Sequence, residues 1–564
     1  MYRLNCIKRI FLSVILLALL ATLCGCNDTG TVIPTEDEPT DTVQLIIPDS
    51  DDLERGTLSY GELEYSYPDT AALISGLTRV RVAIEKNESD FSELLEMIRE
   101  MEPLYTDFLT AYSYLSIETA KDLAREPYAT DYARILEEYP AVLDKIEEMS
   151  VAAATSPHAA LFESEYFGDG FVEEYENGEK YTDAVAALLT EEAALEAQYA
   201  TASEEELSEL LVSLIKVRRL IADEMGYSDY SEYAYEQLGH EYSSEDMLGL
   251  TDMVAEIALP IYQRLYHLAF KNFFAKYDMP KIPTAKMMNT LGSVYADMDE
   301  ELSRAYGYML HYGLFDIGGN AAGRRDGAFT VYLHGNASPF VFMTCEGNSS
   351  DYATLAHEFG HFNDMLENDG SRGSLDLEET ASIGLELLTV MKMRDHLSAP
   401  EYKHLYYTAM QNALITLITQ SAFAKFEHYA YALAYQDITE ERLTELLVKA
   451  TTEMGLNPDY YSDLDAIAIP HVVLYPLYVQ SYVTSTLVAL DICFGEADAS
   501  GVGVSAYYAL LKEQSGEPLA EQLFEAKLAS PFSSETVKNL CDRVYFSIIG
   551  AHYFKGESGG AGTV

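Results

Sequence analysis

The stretch His357-Glu358-Phe359-Gly360-His361 decides how this chain is interpreted. It follows Tyr352-Ala-Thr-Leu-Ala356, a run without Pro or Gly that predicts a helix. On a helix, His357 and His361 lie one turn apart on the same face, so both imidazoles can reach one metal ion. Glu358 would lie beside that ion, where its carboxylate can take a proton from water. The intervening glycine leaves room for another backbone or a substrate to come close.

A catalytic zinc site needs a third protein ligand and one open position. A second helical pattern covers residues 375–388, and Glu379 lies on its apolar face. A carboxylate there is costly unless it is paired or binds a metal, so Glu379 is the predicted third ligand. Glu378 points about 100° away and is expected to be solvated. Asp376 could orient a ligand histidine through a hydrogen bond.

These residues resemble the oligoendopeptidase F branch of the thimet oligopeptidase family of zinc metallopeptidases. In that branch HExGH is followed by Glu-x-Ala-Ser with the third ligand, here Glu379-Thr-Ala-Ser382. The likeness extends from about Gly226 to about Lys538. It implies a mainly α fold, with two largely helical halves flanking a deep substrate channel and a small β element beside the zinc-binding helix. It also implies one zinc ion per chain and oligopeptide substrates.

A histidine and three tyrosines follow at steps of four, three and four: His471, Tyr475, Tyr478 and Tyr482. This spacing predicts one face of a helix. A chain with 43 Tyr also forms such stripes simply as core. The resemblance implies that His471, Tyr475 and Tyr482 hydrogen-bond the substrate or its developing oxyanion, and it leaves the role of Tyr478 open.

The sequence departs from the family in two places. Asp364 stands where the relatives usually have a further histidine, three residues after the second ligand. The Gly-rich loop of the thimet branch is missing between His471 and Tyr475. Substrate preference is therefore not transferred from that branch.

A β element is predicted just before the zinc helix. Residues 327–334 and 338–345 are β-branched and aromatic runs joined by the turn pair Gly335-Asn336. One exposed strand beside the zinc helix could pair with an extended peptide through its backbone. The alternative is a hairpin that only supports the zinc helix.

The N-terminus predicts where the protein resides. A basic start precedes an apolar run, 10–21, that is too short for an ordinary transmembrane helix. Leu23-Cys-Gly-Cys26 then resembles a bacterial lipoprotein cleavage box. We expect 1–25 to be a lipoprotein signal peptide and 26–54 an acidic Thr/Pro-rich, disordered tether. Cys26 would carry the lipid at the outer face of the bacterial cytoplasmic membrane. An ordinary signal peptide and a retained anchor are the alternatives.

The remaining chain is too long for one ordinary core. We expect an N-terminal helical region at 55–320, a zinc peptidase catalytic region at 321–555 and a disordered tail at 556–564. No internal repeat is visible, and the sequence does not predict the oligomeric state.

Composition excludes one class of partner. The chain has 92 acidic and 36 basic residues, a net charge of −56, and no basic stripe. Such a field repels nucleic acid. Cys345, Cys493 and Cys541 form no metal or redox pattern and are expected to be buried thiols.

The sequence therefore predicts a zinc-dependent endopeptidase that hydrolyses short oligopeptides at the cell surface. A zinc carboxypeptidase is one alternative, and it would need a cation such as Arg324 or Arg325 to hold a terminal carboxylate. A catalytically silent peptide-binding lipoprotein is the other. The intact Glu358 argues against it, because a silent site has no use for a general base.

Overall fold

The computed structural model describes residues 44–48 and 58–554, except 88, 169, 176–181, 197, 200–201, 278–279, 371–373 and 513–517. This part of the chain is mainly α-helical with one three-stranded sheet, which confirms the predicted fold class. The predicted signal peptide, the predicted lipidation site Cys26 and the predicted tail at 556–564 lie outside the described residues.

Of the predicted tether, residues 26–54, the structure describes only residues 44–48. Ile46 donates its backbone N–H to Asn289 Oδ1 at 2.9 Å, and Asn289 Nδ2 donates to the Gln44 carbonyl at 2.9 Å. This piece of the tether therefore lies against the folded body. Further on, Leu58 and the Asn336 side chain exchange two hydrogen bonds of 3.1 Å each.

Helices precede the sheet in the first largely helical half. They are α1 (Thr70–Lys86), α2 (Phe91–Arg99), α3 (Glu102–Lys121), α4 (Tyr128–Ala154), α5 (Ala159–Phe162), α6 (Phe171–Tyr175), α7 (Asp183–Glu196), α8 (Glu204–Met225), α9 (Tyr230–Leu238), α10 (Ser244–Met253), α11 (Leu259–Leu265), α12 (Lys271–Phe274), α13 (Thr284–Met298) and α14 (Glu300–His311). Single π-helical turns at Glu163–Phe167, Val254–Ala258 and Tyr266–Phe270 continue α5, α10 and α11. Helices predominate among the described residues of 55–320, and β1 lies at its end.

The second half follows the sheet. Its helices are α15 (Ser350–Glu367), α16 (Leu375–Lys392), α17 (Ala399–Tyr431), α18 (Glu440–Glu453), α19 (Pro470–Val473), α20 (Ser481–Asp498), α21 (Val502–Lys512), α22 (Leu519–Glu525) and α23 (Ser534–Ile549). Single 3₁₀ turns lie at Tyr60–Glu62, His334–Asn336, Met393–Asp395, Tyr435–Asp437, Pro458–Tyr461 and Leu464–Ala466. In the described part of the chain, no helix combines the length and apolarity needed to cross a membrane.

The sheet has the strand order β1-β3-β2, with β1 at Phe315–Gly319, β2 at Ala328–Leu333 and β3 at Ser338–Cys345. β2 and β3 form the predicted antiparallel hairpin, in which Phe329 lies opposite Phe342. β1 pairs with β3 in parallel and was not predicted. Its sequence, Phe-Asp-Ile-Gly-Gly, is poor in strand-forming residues, so pairing with the central strand decides its conformation. The sheet thus joins residues from both regions of the chain.

The zinc helix is packed on two sides. α15 lies against β2 and β3 on one side and against α16 on the other, and α16 in turn packs on α20 and α21. α16 is buried at nearly every position, including Asp376, Glu378 and Glu379, because neighbouring helices enclose it. The three cysteines at 345, 493 and 541 are buried free thiols, as predicted.

Candidate active site

The three predicted metal ligands converge. His357 and His361 come from α15 and Glu379 from α16, and one ligand atom from each lies within 4.8 Å of the others. Glu379 Oε2 is 3.9 Å from Nε2 of each histidine. Two imidazoles and one carboxylate form a donor set typical of catalytic zinc, with a fourth position left for water or substrate. Glu379 is only 1 % exposed, and a metal ion would compensate its buried charge.

A glycine brings the two ligand helices together. A Cβ built on Gly360 would lie 2.6 Å from the Ala381 carbonyl oxygen and 2.6 Å from Ser382 Cα. The room left by this glycine is therefore filled by another backbone, one of the two uses that the sequence suggested. Any side chain at position 360 would separate the helix with the two histidines from the helix with Glu379.

The histidine pair is electrostatically asymmetric. Burial acts to lower the pKa of His357, but its hydrogen bond with Glu386 and the charges of Glu379 and Glu358 raise that pKa to about 9. Burial and the neighbouring His357 hold the pKa of His361 well below its usual range. The surrounding carboxylates thus favour positive charge at this site, whether from a proton or from a metal cation.

Glu358 has the environment of a general base. Thr330 Oγ1, from β2, lies 2.8 Å from Glu358 Oε2 and 2.9 Å from the Glu358 carbonyl oxygen, so its hydroxyl can orient the side chain. Burial raises the pKa of Glu358 to about 7, although the His357 charge and the Thr330 hydroxyl oppose the rise. A carboxyl with a pKa near neutrality can both accept and return a proton.

Asp376 does not orient a ligand histidine as the sequence suggested. Its Oδ2 is 2.9 Å from His240 Nδ1, and its other oxygen accepts from Thr484 and Tyr242. The Asp376 carboxylate is therefore occupied by Thr484 on α20 and by His240 and Tyr242, which lie between α9 and α10. The carboxylate beside a ligand histidine is Glu386, whose Oε2 lies 3.4 Å from His357 Nδ1. Glu386 follows Glu379 by two helical turns, so the seven-residue spacing could have revealed it.

The prediction that Glu378 is solvated is wrong. Glu378 is 4 % exposed. A single amphipathic helix would leave that direction open to water, but α16 is enclosed by α15, α20 and α21. Asp364, three residues after His361, is also buried and accepts a hydrogen bond of 2.9 Å from Asn368 Nδ2.

The histidine–tyrosine stripe is not one face of a helix. α19 ends at Val473 and α20 begins at Ser481, and a loop, residues 474–480, lies between them. Pro476 within this loop lacks a backbone N–H and disfavours helix around it. Leu477 adopts the left-handed conformation, with a φ of 65°. The proline was the sequence signal against a continuous helix.

This loop nevertheless brings Tyr478 to the metal ligands. Its hydroxyl donates to Glu379 Oε1 at 2.5 Å, and its ring lies 5.4 Å from His471 and 5.5 Å from Tyr482, centroid to centroid. His471 and Tyr482 rings are 6.0 Å apart. Tyr478 thus contacts the predicted ligand Glu379 directly, a role that the sequence left open.

Tyr475 in the same loop is buried near residues of the first helical half. Burial raises its pKa well above the usual range, and Glu196, Tyr132 and Tyr139 add to the effect. Its neighbours therefore belong to α4 and α7. Burial also lowers the pKa of His471 to about 4, which keeps this imidazole neutral near pH 7.

The strand beside Glu358 is not exposed. β2 is buried at all six positions, and Ser113 Oγ from α3 donates to the Tyr332 carbonyl at its outer edge, at 2.9 Å. The expectation of an open strand is wrong because α3 covers the edge that the hairpin leaves unpaired. The structure instead fits the alternative in which the hairpin supports α15, because Thr330 on β2 hydrogen-bonds Glu358.

The two arginines considered for a carboxypeptidase differ in their surroundings. Arg324 Nη1 forms a 2.5 Å ion pair with Asp316 Oδ1, and its Nη2 donates to the Met343 carbonyl at 2.8 Å. Arg324 is therefore committed to holding β1 against β3. Burial lowers the pKa of Arg325, opposed by Tyr132 and Tyr112.

Comparison with known proteins gives a likeness of fold. No protein-family model and no curated sequence matches the chain. Among solved structures, PZ peptidase A with an inhibitor superposes with a TM-score of 0.73 at 19% identity, over 87% of this chain and 99% of that one. A Bacillus anthracis str. Ames protein described as an oligoendopeptidase F gives 0.72 at 19%, over 88% and 99%. Oligoendopeptidase-F from Enterococcus faecium gives 0.52 at 14%, over 85% and 98%. The chain thus has the mainly α fold of these peptidases along nearly their whole length.

Proposed function

We propose that this protein is a zinc-dependent endopeptidase of the oligoendopeptidase F type that hydrolyses short oligopeptides. One observation carries the proposal: His357, His361 and Glu379 converge beside Glu358 on two packed helices, in a fold shared with peptidases. The donor set fits zinc, and a carboxyl with a pKa of about 7 next to it fits a general base.

When bound, zinc would supply Lewis acidity towards the scissile carbonyl and lower the pKa of water. The protein groups would do the rest. Glu358, oriented by Thr330, would take the proton of the attacking water and return it to the leaving amine. His471, Tyr475 and Tyr482 are proposed to donate hydrogen bonds to the carbonyl oxygen as charge develops on it. Tyr478 would hold Glu379 in its ligand position.

We also propose that the protein acts at the outer face of the bacterial cytoplasmic membrane, anchored by lipid on Cys26. This proposal is supported by the apolar run and the Leu-Cys-Gly-Cys box of the sequence. The deep substrate channel that the family resemblance implies would admit short unfolded peptides and exclude folded proteins. Mass spectrometry of the membrane-extracted protein tests the anchor: an unmodified Cys26, or a mature chain that lacks residue 26, would refute it.

The decisive experiment is cleavage of a quenched fluorescent peptide of about ten residues, blocked at both ends, by parent and Glu358→Gln, with zinc content measured in both. We expect turnover by the parent and a loss of about 10²- to 10⁴-fold in the variant, with zinc retained, because the amide cannot accept a proton. A zinc-loaded parent that cleaves only peptides with a free C-terminus would indicate a carboxypeptidase. A parent without zinc or turnover would indicate a binding protein.

A further inference from the structure

The loop at 474–480 has a backbone that local interactions do not favour. Pro476 offers no N–H, and the next residue, Leu477, takes the left-handed conformation, in which a side chain crowds the backbone. Such a conformation persists only where the surroundings impose it. Tyr478, the next residue, is the one whose hydroxyl reaches Glu379.

Glu427 on α17 supplies the contact at this turn. Its Oε1 accepts the Leu477 N–H at 2.7 Å, and the side chain is 1 % exposed. Its other oxygen, Oε2, is buried and has no hydrogen-bond partner among the described residues. Burial raises the pKa of Glu427 well above its usual range, although the Leu477 N–H and the Arg218 charge oppose the rise. Oε1 is the acceptor oxygen that Glu427 presents to the loop.

Two other contacts hold the ends of the same segment. Arg218 is paired through Nε with Glu192 and through Nη2 with Glu196, and its Nη2 also donates to the Val473 carbonyl at 2.7 Å. Tyr235 donates its hydroxyl to Gln480 Oε1 at 2.9 Å. These contacts lie before and after the turn, whereas the contact with Glu427 is made at the left-handed residue itself.

We propose, on the basis of the function proposed above, that Glu427 is a positioning residue: by accepting the Leu477 N–H it fixes the turn that places the Tyr478 hydroxyl on Glu379. Glu427 touches neither substrate nor metal in this scheme. It acts through the adjacent tyrosine, and the tyrosine acts on the third ligand. Loss of the acceptor would leave a buried N–H unpaired and allow Leu477 to leave the left-handed region.

The experiment compares Glu427→Gln, Glu427→Leu, Tyr478→Phe and the double variant Glu427→Leu/Tyr478→Phe in the full chain. Gln keeps an oxygen acceptor at the position of Oε1, whereas Leu keeps comparable bulk and removes the acceptor. Ser421→Ala on the same helix, which deletes a buried hydroxyl without a partner, controls for general damage to α17. Zinc affinity is measured by competition with a chromophoric chelator, and kcat and KM with the blocked peptide.

We expect Glu427→Leu to weaken zinc binding about tenfold, because Tyr478 would no longer hold Glu379 in its ligand position. The same variant should lower kcat about 10- to 100-fold with little change in KM, because the displaced side chains alter the geometry of the reacting groups. Tyr478→Phe should weaken zinc binding to a similar extent. The double variant should be no worse than the poorer single variant, since both changes break one chain of contacts. Glu427→Gln and Ser421→Ala should retain most of the parental affinity.

Additive losses in the double variant, or parental zinc affinity in Glu427→Leu, would overturn the proposal. If Glu427→Leu does not fold, Glu427→Asp gives the same comparison, because it keeps the carboxyl but withdraws it by one methylene. Zinc binding, measured separately from peptide cleavage, also distinguishes the proposed endopeptidase function from the proposed role of Glu427. A parent that binds zinc but cleaves no peptide would refute the proposed function, and the chelator titrations would still decide the role of Glu427.

Discussion

Gly360→Ala tests whether close contact between α15 and α16 builds the metal site. The added Cβ would lie 2.6 Å from Ala381 O and Ser382 Cα, whereas ordinary contact begins at 3.4 Å. Both atoms belong to backbone, so a side-chain rotation cannot relieve the clash. The two helices must separate locally by about 0.8 Å or distort.

The expected magnitudes follow from this gap. Overpacking of a core typically costs about 1–3 kcal/mol, and Ala regains about 1 kcal/mol over Gly in a helix interior. The difference is about 0–2 kcal/mol, and we expect the upper half of this range, about 1–2 kcal/mol, because both clashing atoms belong to backbone. Metal–ligand distances tolerate only about 0.2 Å, so a movement of Glu379 away from the two histidines should weaken zinc binding about 10- to 100-fold.

Urea unfolding of the metal-free protein and chelator competition for zinc measure the two effects separately. Gly249→Ala in α10 is the matched control, because its added Cβ meets nothing within 4 Å. That variant should be unchanged or slightly stabilised and should bind zinc like the parent. Parental stability and zinc affinity in Gly360→Ala would refute the reasoning.

Three further predictions concern single side chains. Glu386→Gln should weaken zinc binding about tenfold in a chelator titration, because the carboxylate no longer supports His357 Nδ1; unchanged affinity would contradict the assignment. Tyr482→Phe should lower kcat by about 10- to 100-fold in the peptide assay while zinc content stays constant, and a change confined to KM would argue against a role in charge stabilisation. Burial lowers the pKa of His334 to about 4. Below about pH 6.5 the unfolded chain therefore binds a proton at this histidine, whereas the folded protein binds it only near pH 4. The free energy of unfolding should therefore fall as pH drops from about 6.5 to 4, by about 1.4 kcal/mol per pH unit for this group. His334→Gln should reduce the slope of the free energy of unfolding against pH, measured by urea unfolding between pH 7 and 5, by about that amount.

The convergence of His357, His361 and Glu379 could be predicted because the information for it is local. His357 and His361 are related by one helical turn, and Glu379 stands out as a carboxylate on an apolar helix face. Residues that depend on neighbouring elements were harder. The burial of Glu378 and the direction of Asp376 follow from helices that enclose α16, which its own periodicity does not report.

The tyrosine segment shows how a pattern can mislead. Spacing of four, three and four fits a helix, yet Pro476 breaks it and Leu477 turns the chain. The turn then depends on Glu427, some fifty residues earlier in the chain, and no local pattern links the two. Likewise, β1 becomes a strand only because β3 offers it a partner.

The hairpin that orients Glu358 is completed by parts of the chain that lie far upstream. The Asn336 side chain accepts a hydrogen bond from the N–H of Leu58, 278 residues earlier. The Tyr332 carbonyl accepts one from the hydroxyl of Ser113, 219 residues earlier. Contacts across such separations form late, since the entropy of closing the intervening loop must be overcome first. A fragment beginning at residue 321 would leave β3 without β1 and expose a sheet edge prone to association. Hydrolytic competence should therefore arise in one late, cooperative step that requires both halves, and two separately produced halves should gain it only on reassembly.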